Sequence, residues 1–374
     1  MKTKLVAIAV LATAAITLIG KEPSAAPVIA HEWGTFTSVA LDTGAPARWA
    51  PWTGPADLPR FVHTMQPQWK FALSGLVRME TPVIYFYSQQ PATLSVKVDF
   101  PKGLVTEWYP QATRVQAATP KVSKQPLPVE PEGGGIAWDK VEVLPGSDFT
   151  FRTENKASHY FAARQTDAAP LRAERETEKL LFYRGVGNFA PPLWARYPGD
   201  GKLELRNTGK EAISVAIAFE NQNGSIGYRM VRNLNGELSI DPPAMNGDLK
   251  MLQSALAHEL VAAGLYEKEA AAMIETWRDS WFEPGTRVFY IMPRSEVDAV
   301  LPLTINPAPS SVARVFVGRV EVLSPWTAQQ ISEANRQQDV DTLKRYGRFL
   351  EPFAAQMRLT GSAGIEHARR DLAQ

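Results

Sequence analysis

No cysteine occurs in this 374-residue sequence. The absence excludes a disulfide framework, a catalytic thiol, an iron–sulfur cluster and a lipid-modified N-terminal cysteine. A chain of this length can bury a full hydrophobic core without covalent cross-links. We therefore expect a fold that is stabilised by packing alone.

Neither sign of charge is in excess, because 40 Lys and Arg residues face 39 Asp and Glu residues. The first thirty residues carry a net charge of +2, from Lys2, Lys4, Lys21 and Glu22, and the remainder carries −1. No basic run is present, whereas proteins that bind the phosphate backbone carry a basic patch or stripe. We expect neither nucleic acid nor an anionic membrane surface as a partner.

Long apolar runs are scarce as well, and the single one covers residues 5–20, behind Lys2 and Lys4. With the small residues that follow it, this pattern predicts a secretory signal peptide over residues 1–30. The run is shorter than the ~20 residues that span a bilayer, so we expect no stable membrane anchor after cleavage. The mature protein is then periplasmic or extracellular. Cleavage before Pro27 and cleavage before His31 both fit the small-residue rule. Proline after the bond disfavours cleavage before Pro27, and the ten residues between the apolar run and the other site disfavour cleavage before His31.

Cleavage before His31 would create a metal-binding N-terminus, since one histidine offers both its α-amino group and a ring nitrogen. His63 or His159 would then complete a three-nitrogen site that suits copper. Glutamate together with histidine would instead suit zinc. The alternative is that His31 is simply the first polar residue of a strand.

The pattern of the remaining residues predicts a mainly β protein with α additions. Its 29 prolines, 25 glycines and 10 tryptophans favour short strands and turns. Residues 31–200 form a predicted β-rich domain with a Pro-rich loop over residues 110–135. Apolar alternation or continuous apolar runs predict strands in this domain, over residues 30–41, 77–88, 94–100, 136–144, 148–153, 159–164 and 179–184.

A second β module is predicted over residues 201–325, interrupted by a helical hairpin over residues 248–282. Leucines recur at helical spacing after Asp248, which is a suitable N-terminal cap, and Gly264 is a suitable end for the first helix. Residues 326–374 form a predicted C-terminal helical segment. We expect antiparallel β-sandwich-like modules with a helical hairpin insert and C-terminal helices.

Two partial motifs lack the neighbouring residues that their functions require. The glycines at 185 and 187 resemble a dinucleotide fingerprint, but Pro191 and Pro192 follow where a helix N-terminus is needed. His258 and Glu259 begin like a zinc-protease motif, but Ala262 occupies the place of the second histidine. His258 lies opposite the apolar stripe of its helix, so we expect a surface histidine.

Glutamates inside apolar strands are the candidate catalytic residues: Glu32, Glu80 and Glu107. A buried carboxylate needs a partner, because an unpaired buried charge costs several kcal/mol. The structural interpretation is ion pairing with arginines, and the candidate partners are Arg78, Arg152, Arg164 and Arg184. The functional interpretation is acid and base catalysis on a glycosidic bond, or a metal site shared with histidine.

Four tryptophans fall close together in the sequence and are candidate ligand-binding residues: Trp33, Trp49, Trp52 and Trp69. Exposed tryptophan faces stack on sugar rings or anchor partner chains. The alternative is that these side chains belong to the core, where most tryptophans lie.

Four segments carry a resemblance to an uncharacterised group of exported bacterial proteins that share the His-Glu-Trp-Gly-Thr-Phe segment. They are residues 31–38, 78–82, 107–110 and 181–187. The resemblance covers most of the chain after residue 30. It implies export, and it implies no activity, cofactor or ligand.

Two functional hypotheses are consistent with the sequence. The first is a non-enzymatic binding protein outside the cytoplasm that takes a carbohydrate or polypeptide ligand through aromatic residues. The second is a copper-, zinc- or carboxylate-dependent enzyme of the periplasm or the cell exterior.

Overall fold

The structure, a computed structural model, describes residues 27–51, 58–65, 73–116, 131–154 and 158–372. The predicted fold class is confirmed, because these residues form mainly antiparallel sheets with helices added late in the chain. None of the described helices combines the length and the apolar character that a membrane crossing requires.

The first half of the chain supplies ten strands and one 3-10 helix. The strands are β1 (Ile29–Val39), β2 (His63–Thr64), β3 (Val77–Tyr87), β4 (Ala92–Phe100), β5 (Gly103–Tyr109), β6 (Arg114–Gln116), β7 (Gly134–Val143), β8 (Leu171–Ala173), β9 (Glu176–Glu178) and β10 (Leu181–Gly187). The 3-10 helix covers His159–Arg164.

The second half alternates strands with helices. Its strands are β11 (Leu193–Arg196), β12 (Leu203–Asn207), β13 (Ile213–Gln222), β14 (Ser225–Leu234), β15 (Glu237–Ile240), β16 (Gly285–Ile291), β17 (Leu303–Asn306) and β18 (Ser311–Val322). Its α-helices are α1 (Leu249–Ala262), α2 (Glu267–Trp281), α3 (Arg294–Val300), α4 (Pro325–Gln337), α5 (Val340–Lys344), α6 (Leu350–Gln356) and α7 (Ala363–Leu372).

The described residues form one nine-stranded sheet in the order β14-β13-β16-β18-β1-β3-β10-β5-β2. Neighbouring strands are antiparallel, apart from the parallel pair of β1 and β18. Two smaller sheets accompany it: β17-β4-β7-β8-β9, with β6 beside β7, and β11-β12-β15. We call the nine-stranded sheet the long sheet.

The long sheet is the middle layer of the molecule. One of its faces packs on the two smaller sheets through residues such as Phe36, Phe86 and Trp138. The other face packs on α1, α2 and the 3-10 helix through Trp33, Phe289 and other large side chains. The C-terminal helices form a third cluster with Val39 and Trp49 of the β1 region.

The helical hairpin has the predicted caps. The Asp248 carboxylate accepts a hydrogen bond from the Met251 backbone N–H, which satisfies a donor that the first turn leaves open. Gly264, with φ of +120°, follows α1 in a conformation that side-chain-bearing residues disfavour. His258 is exposed, as its position opposite the leucines predicts.

Three structural expectations need correction. Residues 148–153 contain no strand, and residues 159–164 form a 3-10 helix that buries Tyr160 and Ala163, three positions apart. The predicted boundary near residue 200 does not separate two modules, because the long sheet joins strands from both sides of it. Of the predicted Pro-rich loop, residues 114–116 form β6 and residues 117–130 lie outside the described part of the chain.

Candidate functional site

A cleft of about 870 Å³ opens at one end of the long sheet. The start of β1, the turn that follows β3, and the segments at 145–148 and 166–170 surround it. Its lining residues are Pro27, Ile29, Tyr87, Ser88, Gln89, Pro145, Gly146, Ser147, Asp148, Thr166, Asp167, Ala168, Ala169, Pro170 and Lys179. We call it the sheet-end cleft.

The sheet-end cleft is lined by both apolar and polar side chains. Gln89, Asp148 and Asp167 are exposed. The Lys179 ammonium donates to the Thr166 carbonyl at 2.7 Å and so holds one wall in place. The cleft therefore presents carboxylate, amide and ammonium groups of both signs rather than a field of one sign.

A buried carboxylate stands behind the Tyr87 wall of the cleft. Glu269 of α2 is fully buried and accepts from the Tyr87 hydroxyl at 2.9 Å and from the Tyr266 backbone N–H at 2.7 Å. His31 Nδ1 lies 2.7 Å from the same carboxylate. Burial, followed by the Glu269 charge, raises the pKa of Tyr87, so Tyr87 stays protonated and donates.

The structure places His31 within a strand rather than at a free terminus. Its backbone lies between Tyr85 of β3 and Ala313 of β18 in the long sheet. Its ring packs 4.4 Å from the ring of Tyr266. Glu269 is the partner that holds the ring of His31 in this position.

Glu32 points to the opposite face of the long sheet from His31. Its carboxylate accepts from the Tyr183 hydroxyl and from Arg314 Nε, the latter at 2.5 Å. Arg314 also contacts Asp298 at 2.6 Å. Because this network lies in the core between the sheets and away from the sheet-end cleft, Glu32 is a paired structural acid.

Glu80 lies in a row of buried charged residues that crosses the helix-covered face of the long sheet. Thr35 of β1 stands opposite Glu80 of β3, and Thr37 stands opposite Arg78. On the other side of β1, Arg319 of β18 stands beside Thr37. We call this row, with Arg287, Glu321 and the nearby Arg348, the charged row.

Arginines keep Glu80 ionised. Arg348 lies 3.4 Å and Arg78 3.9 Å from its carboxylate. Burial alone would raise the pKa of Glu80, but the charges of Arg348, Arg78 and Arg319 outweigh burial and lower it to about 2. The pairing of Glu80 with Arg78 is the one that the structural interpretation of the sequence predicts. Because the lowered pKa keeps Glu80 deprotonated, Glu80 is unsuitable as a general acid at neutral pH.

The other acids of the charged row are paired as well. Glu321 accepts from Arg287 at 2.8 Å and from Arg319 at 2.6 Å, and these two arginines lower the pKa that burial would otherwise raise. Arg319 also reaches Glu283 at 2.8 Å. Among the described residues, Thr35 Oγ1 and Arg348 Nε are buried polar atoms beside the row that lack a hydrogen-bond partner.

Glu107 extends the charged row by two strands. It stands opposite Arg184 in the pairing of β5 with β10, and its carboxylate accepts from the Thr106 hydroxyl at 2.5 Å. The ladders around Glu80 and Arg184 carry register shifts, and Thr81 has φ of +47°. A positive φ is strained for a β-branched residue such as Thr81. Backbone strain of this kind is concentrated at functional sites.

The segments that carry the resemblance meet in this part of the sheet. Residues 31–38 lie in β1, 78–82 in β3, 181–187 in β10, and 107–109 in β5. These four strands are consecutive neighbours in the order β1-β3-β10-β5. Glu80 of the charged row lies on β3, and Tyr87 at the end of the same strand lines the sheet-end cleft.

The three candidate metal-binding histidines contact three different acids. His31 contacts Glu269, His63 Nε2 lies 2.9 Å from Glu176, and His159 Nε2 lies 3.6 Å from Asp279. Within the described residues, no group of three or more His, Asp and Glu side chains is arranged to hold a metal ion. The structure therefore does not bring His31, His63 and His159 into one site.

His63 lines a second, smaller cleft of about 500 Å³. The other lining residues are Gln111, Ala112, Thr113, Arg152, Glu174, Arg175 and Glu176. It lies where the β2 edge of the long sheet meets the β8–β9 hairpin. We call it the His63 cleft.

Trp33 and Trp49, the two candidate tryptophans that the structure describes, are core residues. Trp33 is fully buried against the helices, and Trp49 is buried with its ring 5.6 Å from that of Phe349. Neither presents a face to a ligand in the solvent. Trp52 and Trp69 lie outside the described residues.

Sequence reasoning missed Glu269 and the acids of the sheet-end cleft. Glu269 stands four residues before Met273, which belongs to the buried stripe of α2, so its helical position pointed to burial. Asp148 and Asp167 carried no such signal. They lie in segments outside the strands, and only tertiary packing brings them to one cleft.

No protein-family model matches this chain, and a search of curated proteins finds no similar sequence.

Proposed function

We propose that this protein is a binding protein, acting outside the cytoplasm, whose sheet-end cleft takes a carbohydrate. The observation that carries the proposal is the cleft itself. Its volume of about 870 Å³ falls within the range of about 300–1,000 Å³ that small-molecule sites occupy.

The lining chemistry matches a ligand rich in hydroxyl groups. The Asp148 carboxylate accepts hydrogen bonds from hydroxyls, whereas the Gln89 amide both donates and accepts. Asp167 Oδ1 already accepts from the Lys268 ammonium at 2.6 Å, so Asp167 offers its second oxygen, Oδ2. The half-buried ring of Tyr87 and the rings of Pro145 and Pro170 offer apolar surface to the C–H faces of a sugar. With Lys179 present beside the two acids, the rim favours a neutral sugar over a highly charged one.

A polypeptide ligand has less support than a carbohydrate. Extended peptides commonly bind by adding a strand to an exposed sheet edge. β1 and β3, whose ends line the cleft, are central strands with neighbours on both sides. The cleft therefore offers side chains and loop segments rather than an open strand edge.

The enzyme hypothesis has a specific weakness in this fold. Glu32, Glu80 and Glu107 do not line the sheet-end cleft, and each has a hydrogen-bonding or ionic partner within its own network. The two acids that do line it, Asp148 and Asp167, leave glycoside hydrolysis as the enzymatic alternative for the same ligand class. Turnover of a bound glycan distinguishes the two functions.

The test is a glycan-array screen of the purified mature chain, followed by calorimetric titration of the best glycan. We expect binding that Asp148→Ala and Gln89→Ala each weaken about 10-fold, because each change removes hydrogen bonds to the ligand. Asp241→Ala is the matched control, since Asp241 is exposed and lies outside the cleft lining.

Recovery of the glycan intact after prolonged incubation supports binding, and release of new reducing ends supports the hydrolase alternative. The proposal is wrong if no glycan binds, or if Asp148→Ala binds as tightly as Asp241→Ala. Circular dichroism of each variant shows whether the fold is kept.

A further inference from the structure

The His63 cleft combines a fixed imidazole with two arginines. The ring of His63 is stacked near-parallel to the rings of Trp108 and Tyr109, at 6.2 and 6.1 Å between centroids. Arg152 and Arg175 line the same cleft, and both are exposed. This cleft shares no lining residue with the sheet-end cleft, so a ligand here is independent of the proposed function.

Glu176 orients His63. Its carboxylate accepts from the Gln111 backbone N–H at 2.6 Å, lies 2.9 Å from His63 Nε2 and lies 3.6 Å from Arg152 Nη1. A carboxylate accepts only, so the hydrogen of the neutral imidazole lies on Nε2. Nδ1 of His63 then carries a lone pair, and among the described residues no hydrogen bond engages it.

Arg175 is free to bind a ligand. It follows Glu174, whose φ of +51° belongs to the tight turn between β8 and β9. No described residue forms an ion pair with Arg175, whereas Arg152 has only the long contact to Glu176. Two guanidinium groups in one cleft offer paired donors of the kind that recognise carboxylate and phosphate groups.

We propose that the His63 cleft binds the oxyanion group, carboxylate or phosphate, of a small molecule, and that protonation of His63 strengthens this binding. Arg152 and Arg175 bind the oxyanion at any pH. Protonation of His63 adds a positive charge to the same cleft, and this charge attracts the oxyanion more strongly. The charged groups that line the cleft around the imidazole are Glu174, Glu176, Arg152 and Arg175. The rings of Trp108 and Tyr109 on β5 are stacked on it.

The test is calorimetric titration of the full mature chain with inorganic phosphate and, separately, with acetate, at constant ionic strength set with NaCl. We expect at least one of the two to bind. We expect its affinity to rise about 10-fold as the pH falls from about 8 to about 5, the range in which histidine changes charge. Phosphate gains a proton within this range, whereas acetate gains one only near the acid end. The acetate titrations between about pH 8 and about pH 6 therefore separate the contribution of His63. Comparison of the two ligands shows which oxyanion the cleft prefers.

Three variants make the assignment specific. Arg175→Met should weaken binding about 10-fold or more at every pH, because it removes a charged donor. His63→Gln should keep the high-pH affinity of the wild type and lose the increase at low pH. Arg345→Met is the control, since Arg345 is exposed, carries the same charge and lies outside the cleft.

The proposal is overturned if neither anion binds, if Arg175→Met and Arg345→Met bind alike, or if His63→Gln keeps the full pH dependence. Failure of these titrations leaves the carbohydrate proposal untouched, because the glycan variants change different residues.

Discussion

Buried carboxylates that are paired with arginines are the main electrostatic feature of the long sheet. Glu80 and Glu321 are both almost fully buried, and each is held ionised by two or more arginines. Breaking one side of such a pair leaves an uncompensated buried charge, which commonly costs about 3–5 kcal/mol. The charged row is therefore sensitive to single substitutions and to acid.

Acid should remove the contribution of Glu80. Its pKa is about 2 in the folded chain against 4.5 for an unperturbed glutamate. A lowered pKa stabilises the fold at pH values above 4.5, and that contribution is lost as the pH falls from 4.5 through 2. We expect the difference in unfolding free energy between wild type and Glu80→Gln to shrink by ~3 kcal/mol over this window.

Urea denaturation at a series of pH values measures this difference. Glu211→Gln is the control, because Glu211 is exposed and the substitution changes the net charge equally. A difference between wild type and Glu80→Gln that stays constant from neutral pH into the acid range would refute the assignment.

Part of this chemistry was predictable from residue types alone. An acid inside the apolar strand of residues 77–88 requires a cation, and Arg78 is two positions away on the same face. Arg348 was not predictable, because it stands 268 residues further along the chain and reaches Glu80 only through the docking of the C-terminal helices. The same holds for Glu269 and His31, which are 238 residues apart.

At the scale of single elements, hydrophobic periodicity predicted a strand or helix correctly where the periodic segment was long. The strands β1, β3, β4 and β7 and the helices α1 and α2 lie where the sequence pattern predicts them. Residues 159–164 were predicted as a strand, because a six-residue segment with aromatic residues fits either period. The Ser158 hydroxyl accepts from the Tyr160 backbone N–H and favours the helical turn instead.

The position of β1 bears on where the predicted signal peptide would be cleaved. The Val28 carbonyl accepts from the Ser310 backbone N–H at 2.8 Å, and Val28 and Ala30 are buried. Ile29 already pairs with β3 and β18. We expect the exported chain to begin at Pro27, because a start at His31 would remove these contacts at a cost of about 2–4 kcal/mol.

Intact-mass measurement of the exported protein gives its first residue directly. Urea denaturation of chains that begin at Pro27 and at His31 then measures the cost. A native chain that begins at His31 and carries one copper ion would contradict this expectation and support the copper hypothesis instead.

At the scale of the whole molecule, the long sheet unites the two halves of the chain. β18, β16, β13 and β14 come from the second half, whereas β1, β3, β10, β5 and β2 come from the first. The halves meet along the parallel pair of β1 and β18, which are eleven residues in register. A cut near residue 200 would therefore expose two long central strand edges.

We expect residues 27–200 and 201–372, produced separately, to lack a cooperative unfolding transition, whereas the intact chain unfolds in one transition. Each fragment would leave unpaired backbone groups and an uncovered apolar sheet face. Far-ultraviolet circular dichroism and tryptophan fluorescence, followed in urea, should give coincident curves for the intact chain. A fragment that unfolds cooperatively on its own would restore the two-module description.

The sequence by itself determined the fold class of this protein and most of its long strands and helices. Strand and helix periods, caps and turns depend on neighbours within a few residues, so they can be read along the chain. Tertiary structure alone decided which strands became neighbours and which acids met which bases. An alternating strand accepts many partners equally well, and only the burial of both faces of the long sheet selects among them.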